Sequence, residues 1–162
     1  MPDPKPESDP SPRLANQRGA ARLAAVQALY QMEVGGAGLA DVLAEFEAHW
    51  IGQEVEGEQY NPAELAFFRD IVSGVLKDQQ SIDRALDAAL SQGWPLKRVE
   101  ALMRAILRAG YYELRNRPDV PARAAIKEYV DVAGAFFGPD ESGMINAVLD
   151  ALGRQTRPKE FA

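Results

Sequence analysis

Apolar residues recur every three or four positions through most of the chain, and the run 93–121 carries the densest such pattern. Val99, Leu102, Met103, Ile106, Leu107, Tyr111, Tyr112 and Leu114 leave only a narrow polar stripe, made mostly by Glu100, Arg104 and Arg108. Such spacing collects side chains on one side of a helix, and an apolar arc this wide asks for cover on nearly every side. The pattern predicts a central helix opened by Pro95 and closed by Asn116 and Pro118, because proline lacks the N–H that a continuing helix needs. Glu100 and Arg104, four apart, are expected to pair along it.

The same period predicts helices on both sides of this one. A first helix over 17–34 turns Leu23, Val26, Leu29 and Tyr30 inward and stops at Gly35-Gly36; a second over 39–50 buries Leu39, Val42, Leu43, Phe46 and Trp50. Asn61-Pro62-Ala63-Glu64 has the form of a capping box and opens a third helix that runs to about residue 79. Ser81 caps a shorter fourth helix through Ile82, Leu86 and Leu90. After Pro121 a sixth helix presents Ile126, Val130, Ala133 and Phe137, and a seventh over 142–152 turns in Ile145, Val148, Leu149 and Leu152 before Gly153. No segment alternates as a half-buried strand does, so the expected class is all-α, about seven helices around the fifth. Residues 1–15 hold five prolines and almost nothing apolar, and are expected to form a flexible arm. The helical domain is expected over 16–153, followed by a loose basic tail over 154–162.

Composition changes this picture little. With 46% hydrophobic residues, 162 residues can build a core. No run approaches the roughly 20 apolar residues of a membrane helix, and the proline-rich, acidic N-terminus is unlike a signal peptide, so a cytoplasmic location is expected. The absence of cysteine excludes disulfides, thiolate nucleophiles and thiolate metal sites. Charge is more informative. The net value of −6 is unevenly spread: 41–64 holds seven acidic residues and no Lys or Arg, whereas 97–117 holds six basic ones.

Candidate chemistry is sparse. The single histidine, His49, has Glu45 one turn away, but two groups do not make a metal site. Gly35-Gly36-Ala37-Gly38 follows a helix instead of a strand and reads as a turn, not a phosphate loop. Glu45, Glu47, Glu54, Glu56 and Glu58 read as a solvated face that can also dock a basic partner. No serine sits in a nucleophile-elbow pattern. The expectation is a non-enzyme without cofactor or metal. Arg18 and Arg22, four apart, share one face of the first helix, and Arg13 extends that line into the arm. Two readings stand open: a phosphate-binding strip for RNA, or a solvated helix start. Lys97, Arg98, Arg104, Arg108, Arg115 and Arg117 form a second basic stripe, with Trp94, Tyr111 and Tyr112 as core residues or stacking surfaces.

Several segments in register resemble the NusB family of bacterial transcription antitermination factors. They are Arg18-x-x-x-Arg22-x-x-Ala25-Val26-Gln27-Ala28-Leu29-Tyr30-Gln31, Phe68-Arg69-Asp70, Val72-x-Gly74-Val75, Arg104-Ala105-Ile106-Leu107-Arg108, Tyr112-Glu113-Leu114, Asp119-Val120-Pro121, Ala125-Ile126-x-Glu128 and Asn146-x-Val148-Leu149-Asp150. The likeness spans about 16–152. It implies two helical bundles, one of the first three helices and one of the rest, in a non-enzymatic adaptor. Such an adaptor binds the boxA element of nascent RNA with the ribosomal protein NusE, within the antitermination complex of RNA polymerase. Carried over by position, it implies RNA contacts at Arg13, Arg18, Arg22, Gln27, Glu141 and Met144, and partner contacts at Tyr30 and Met103. Two positions depart from the family: Met103, often acidic, and Met144, often aromatic. Self-association is left open. Two alternatives stand beside this one: an RNA-binding domain like that preceding the catalytic part of some RNA cytosine methyltransferases, and a protein-interaction module that never touches RNA.

Overall fold

The computed structural model describes residues 10–52, 62–90 and 94–162, and the side chains of 18–48, 64–90 and 94–162. Among these residues there are seven α-helices and no strand: α1 (Pro10–Gly35), α2 (Leu39–Gly52), α3 (Pro62–Lys77), α4 (Gln79–Ala89), α5 (Ala101–Asn116), α6 (Ala122–Phe136) and α7 (Pro139–Thr156). Short 3₁₀ turns at Leu96–Arg98 and Pro158–Phe161 precede α5 and follow α7. Helices α1 to α3 pack on one another as a first bundle and α4 to α7 as a second.

Helix α5 is the element the two bundles share, touching α1, α3, α4, α6 and α7. Ten consecutive-turn positions from Met103 to Leu114 are buried on it, which is the burial its apolar arc predicts. Where helices come very close, the sequence supplies glycine. A Cβ at Gly74 of α3 would run into the Tyr112 ring, and one at Gly110 would lie 2.8 Å from Leu149 of α7. The sharp exit from α1 is likewise a glycine matter. Gly36 has φ of 70° and its N–H donates to the Met32 carbonyl at 3.1 Å, closing the helix in the left-handed conformation that side chains resist.

Several boundaries differ from expectation for identifiable reasons. Pro95 does not open α5. It precedes the turn Leu96–Arg98, whose Leu96 N–H is held by Asp87 at 2.7 Å, and α5 begins six residues later at Ala101. Ser81 lies inside α4, where its hydroxyl donates back to the Asp78 carbonyl at 3.0 Å, and Asp78 holds the cap position three residues earlier. Glu100 does not pair with Arg104, which Glu33 of α1 takes instead at 2.5 Å. Helix α1 starts at Pro10, inside the stretch expected to be a flexible arm; residues 1–9, like Asn61 of the expected capping box, lie outside the described residues.

The tail over 154–162 is not loose. Phe161 packs against Gly153 and Ile126, between the guanidinium groups of Arg123 and Arg154 at 4.8 and 5.0 Å. Glu160 accepts the otherwise orphaned N–H of Ala122, the first residue of α6, at 2.9 Å, which caps that helix with a carboxylate. Arg157 pairs with Glu160 and donates to the carbonyls of Arg117, Pro118 and Val120. The last turn is therefore a strap over the loop joining α5 to α6.

Candidate nucleic-acid interface

Helices α1 and α5 run antiparallel, and charged pairs record their register. Arg18 meets Asp119 just past the end of α5, Arg22 meets Glu113, and Glu33 meets both Arg104 and Arg108 near its start. Each pair does something different.

Arg22 is buried, with a side chain 4% exposed. Its Nε and Nη2 donate to the two oxygens of Glu113 at 2.9 and 2.7 Å, the Tyr129 hydroxyl donates to Glu113 at 2.9 Å, and Glu128 stands 3.9 Å away. Burial works against the Arg22 charge, but the hydrogen bonds and charge of Glu113 outweigh it and hold the guanidinium above its usual range. Burial and the adjoining Glu113 carboxylate push the Tyr129 hydroxyl well up, so it stays a donor. The expectation that Arg22 contacts RNA phosphate is corrected by this arrangement: its fork is used up inside the protein. The shared face of Arg18 and Arg22 is real, but it turns toward α3 and α5, where both guanidinium groups lie over Phe67, at 5.0 and 5.2 Å.

Arg18 sits at the rim of the same cluster and is 42% exposed. Its ion pair with Asp119, at 3.8 Å, is longer than a hydrogen bond, so donors remain to offer a ligand. Arg13 has a described backbone within α1 and lies outside the described side chains. Gln27 is exposed; nine residues beyond Arg18, at about 100° per residue, it points from the opposite side of α1. Tyr30 is partly buried against the core.

Four of the six members of the second basic stripe are tied to carboxylates, whereas Lys97 and Arg98 stay exposed without an ion pair. Arg104 and Arg108 grip Glu33, Arg108 also takes Asp83 at 2.8 and 3.0 Å, Arg115 takes Asp78 at 3.1 Å, and Arg117 takes Asp119 and Asp70. These are internal struts between helices. Tyr112 donates to Asp70 at 2.7 Å, and burial with that carboxylate raises its pKa to about 12. Tyr111 and Tyr112 are core residues, whereas Trp94 is 58% exposed.

Trp94 belongs to a groove of about 480 Å³ at the other end of α5. Leu90, Trp94, Val99, Met103 and Met144 make its apolar lining; Glu100, Asp140 and Glu141 face Arg98 around it. Three residues named from sequence, Met103, Glu141 and Met144, thus meet in one place, together with Trp94. With about 1.5 Å of rise per residue, Met103 and Arg117 are about 20 Å apart along the helix. The sequence-derived contact set therefore splits into a cationic end at Arg18 and an acid-rimmed apolar end at Met144. Among the described residues no cluster of three or more His, Asp or Glu side chains could hold a metal, and no helix is long and apolar enough to cross a membrane.

With an exposed Arg18 near one end of its axial helix and an open groove at the other, the chain is an all-α protein of the two-bundle helical class. Its sequence places it more narrowly. The chain belongs to the NusB family, whose profile matches residues 19–154. It is 68% identical over 149 residues to the transcription antitermination protein NusB of Bradyrhizobium sp. (strain BTAi1), covering 92% of this chain and 88% of that protein. With the protein of the same name from Bradyrhizobium diazoefficiens it shares 65% over 147 residues, 91% of this chain and 89% of that one. Among solved structures, T. maritima NusB superposes with a TM-score of 0.75 at 24% identity, over 89% of this chain and 96% of that one. A chain from the complex of the antitermination factors NusB and NusE with double-stranded RNA superposes at 0.68 with 20% identity, over 86% and 98%. These structural likenesses are of fold.

Proposed function

We propose that this chain is an RNA-binding adaptor of transcription antitermination, which holds a boxA-type element of nascent RNA together with NusE and helps RNA polymerase pass terminators. The observation that carries the reading is the match to the family over most of the chain, at 65–68% identity to proteins named for antitermination. The neighbour with NusE and RNA in its complex supports the choice of partners.

The geometry suits a division of labour along α5. At the cationic end Arg18, with Arg13 earlier on the same helix, meets phosphate, for which a guanidinium fork is well shaped. At the groove end the carboxylates repel phosphate, but a carboxylate accepts from the exocyclic amines of bases. Glu141 therefore faces base edges, and Met144 and Trp94 offer apolar surface beneath them. Met103 and Tyr30 face the protein partner, and Met103 brings packing where a carboxylate would bring a charge. Gln27 joins the RNA side only if RNA crosses over α1.

Fluorescence anisotropy with a boxA-like RNA, with and without NusE, tests this. Tighter binding in the mixture than with either protein alone, and weaker binding of a scrambled RNA, is the expected result; equal affinity for both RNAs removes sequence-specific loading. The internal pairing of the α5 arginines favours a second reading, a protein-docking module. A pull-down of NusE with no RNA signal in either condition would select it.

A further inference from the structure

Resting on the reading that Arg18 meets RNA phosphate, we propose that Asp119 sets the strength of that contact, as a resident carboxylate that competes with phosphate for the Arg18 guanidinium. Asp119 is 50% exposed and its Oδ2 lies 3.8 Å from Arg18 Nη2. Both groups are thus open to a ligand arriving from solvent.

Asp119 is held where it is. Arg117 Nε and Nη2 each donate to one of its oxygens at 3.1 Å, and its loop is strapped by the Arg157 hydrogen bonds to neighbouring carbonyls. These bonds favour the position facing Arg18, so an arriving phosphate meets a second anion in the space in front of that guanidinium. The charge around them sharpens the conflict. Three arginines, Arg18, Arg22 and Arg117, lie over the Phe67 ring at 5.0 to 5.2 Å. Four carboxylates pair with them: Asp119, Glu113, Glu128 and Asp70. Three positive charges less four negative leave the cluster at −1, and Asp119 is the carboxylate that pairs with Arg18. Replacing Asp119 by asparagine makes it neutral. The consequence is a backbone contact kept weak, so that an RNA lacking the right bases gains little from Arg18 alone. An exposed charge near this distance changes affinity modestly, by about two- to fivefold.

The test is a cycle on the full chain, read by anisotropy with boxA-like and scrambled single-stranded RNA. Asp119→Asn is expected to tighten the scrambled RNA by about two- to fivefold, and Asp119→Glu, which keeps the charge, to stay near the native value. In an Arg18→Gln background the gain from Asp119→Asn should vanish. No gain in Asp119→Asn, or the same gain with Arg18 absent, overturns the proposal. Arg18→Gln alone separates the two levels: if it leaves RNA affinity unchanged, the phosphate role of Arg18 fails and Asp119 falls with it; if it weakens binding while Asp119→Asn brings no gain, only the role of Asp119 fails. Should Asp119→Asn not fold, the native chain gives the answer through the carboxyl carbon signal of Asp119. RNA is expected to raise the pH at which that signal titrates, because a neighbouring phosphate disfavours its charge; a midpoint unmoved at RNA saturation overturns the proposal.

Discussion

The arginines of α1 show how little spacing says about direction. Arg18 and Arg22 were readable as sharing a face, but a period of four is silent on whether that face meets solvent or protein. The missing information lay in α5, where Glu113 occupies an otherwise apolar turn between Tyr112 and Leu114. A carboxylate there must find a cation or lose its charge, and Arg22 was available to serve. Removing it leaves Glu113 buried beside the Tyr129 hydroxyl. Arg22→Ala is therefore expected to lower the unfolding free energy by about 3–5 kcal/mol in urea melts, whatever the RNA does. Arg18→Ala should leave stability within about 0.5 kcal/mol and weaken RNA binding. The tyrosines give a pH signature. Tyr112 keeps its proton to about pH 12 and Tyr129 beyond its ordinary range, whereas unfolded tyrosine ionises at about 10. Above that pH the unfolded chain binds fewer protons than the folded one, so stability is present below about 10 and is lost as pH rises toward 12. Tyr112→Phe should flatten part of that loss in melts taken across this window.

At the scale of elements, what was legible was what depends on apolar period. The seven helices, their order and the burial of α5 follow from side chains recurring at three and four. What was not legible depends on partners far away in the chain. Glu33 of α1, Asp83 of α4, Asp78 between α3 and α4, and Asp70 of α3 neutralise Arg104, Arg108, Arg115 and Arg117, and no local pattern announces a contact across 25 to 75 residues. The last turn escaped for a related reason: Phe161 is a lone aromatic in a charged tail, and its pocket between Arg123 and Arg154 exists only once α6 and α7 have docked. Deleting 157–162 should uncap α6 and free the 117–121 loop. Hydrogen exchange is expected to accelerate at Ala122 and Val120 while α3 and α4 keep their protection, and the chain should lose about 1–3 kcal/mol. Gly74 carries the opposite kind of fragility. Gly74→Ala drives a methyl into Tyr112, separating α3 from α5, and is expected to destabilise by about 1–3 kcal/mol or more in thermal melts.

For the whole molecule, the pairing of nine of the twelve arginines with described side chains to carboxylates reshapes the expected electrostatics. The charge asymmetry along the sequence suggested basic stripes, which would make RNA binding respond steeply to salt. In the fold, α5 spends its arginines on struts, and at the cationic end of the axis the proposed phosphate contacts come down to Arg18 with Arg13. With one or two phosphate contacts, the slope of log affinity against log salt should be about −0.7 to −1.4 for the chain alone, steepening only when NusE adds its own contacts; anisotropy from low to moderate salt measures it. Antiparallel packing of α1 on α5, with the closing strap, also brings Arg18 and the C-terminal residues to one end of the axis. A purification tag or dye joined after Ala162 would therefore crowd Arg18, the residue proposed to meet phosphate, and blur any affinity measured with it, whereas a label set in the glycine-rich turn after α1 would report from the far side of the protein.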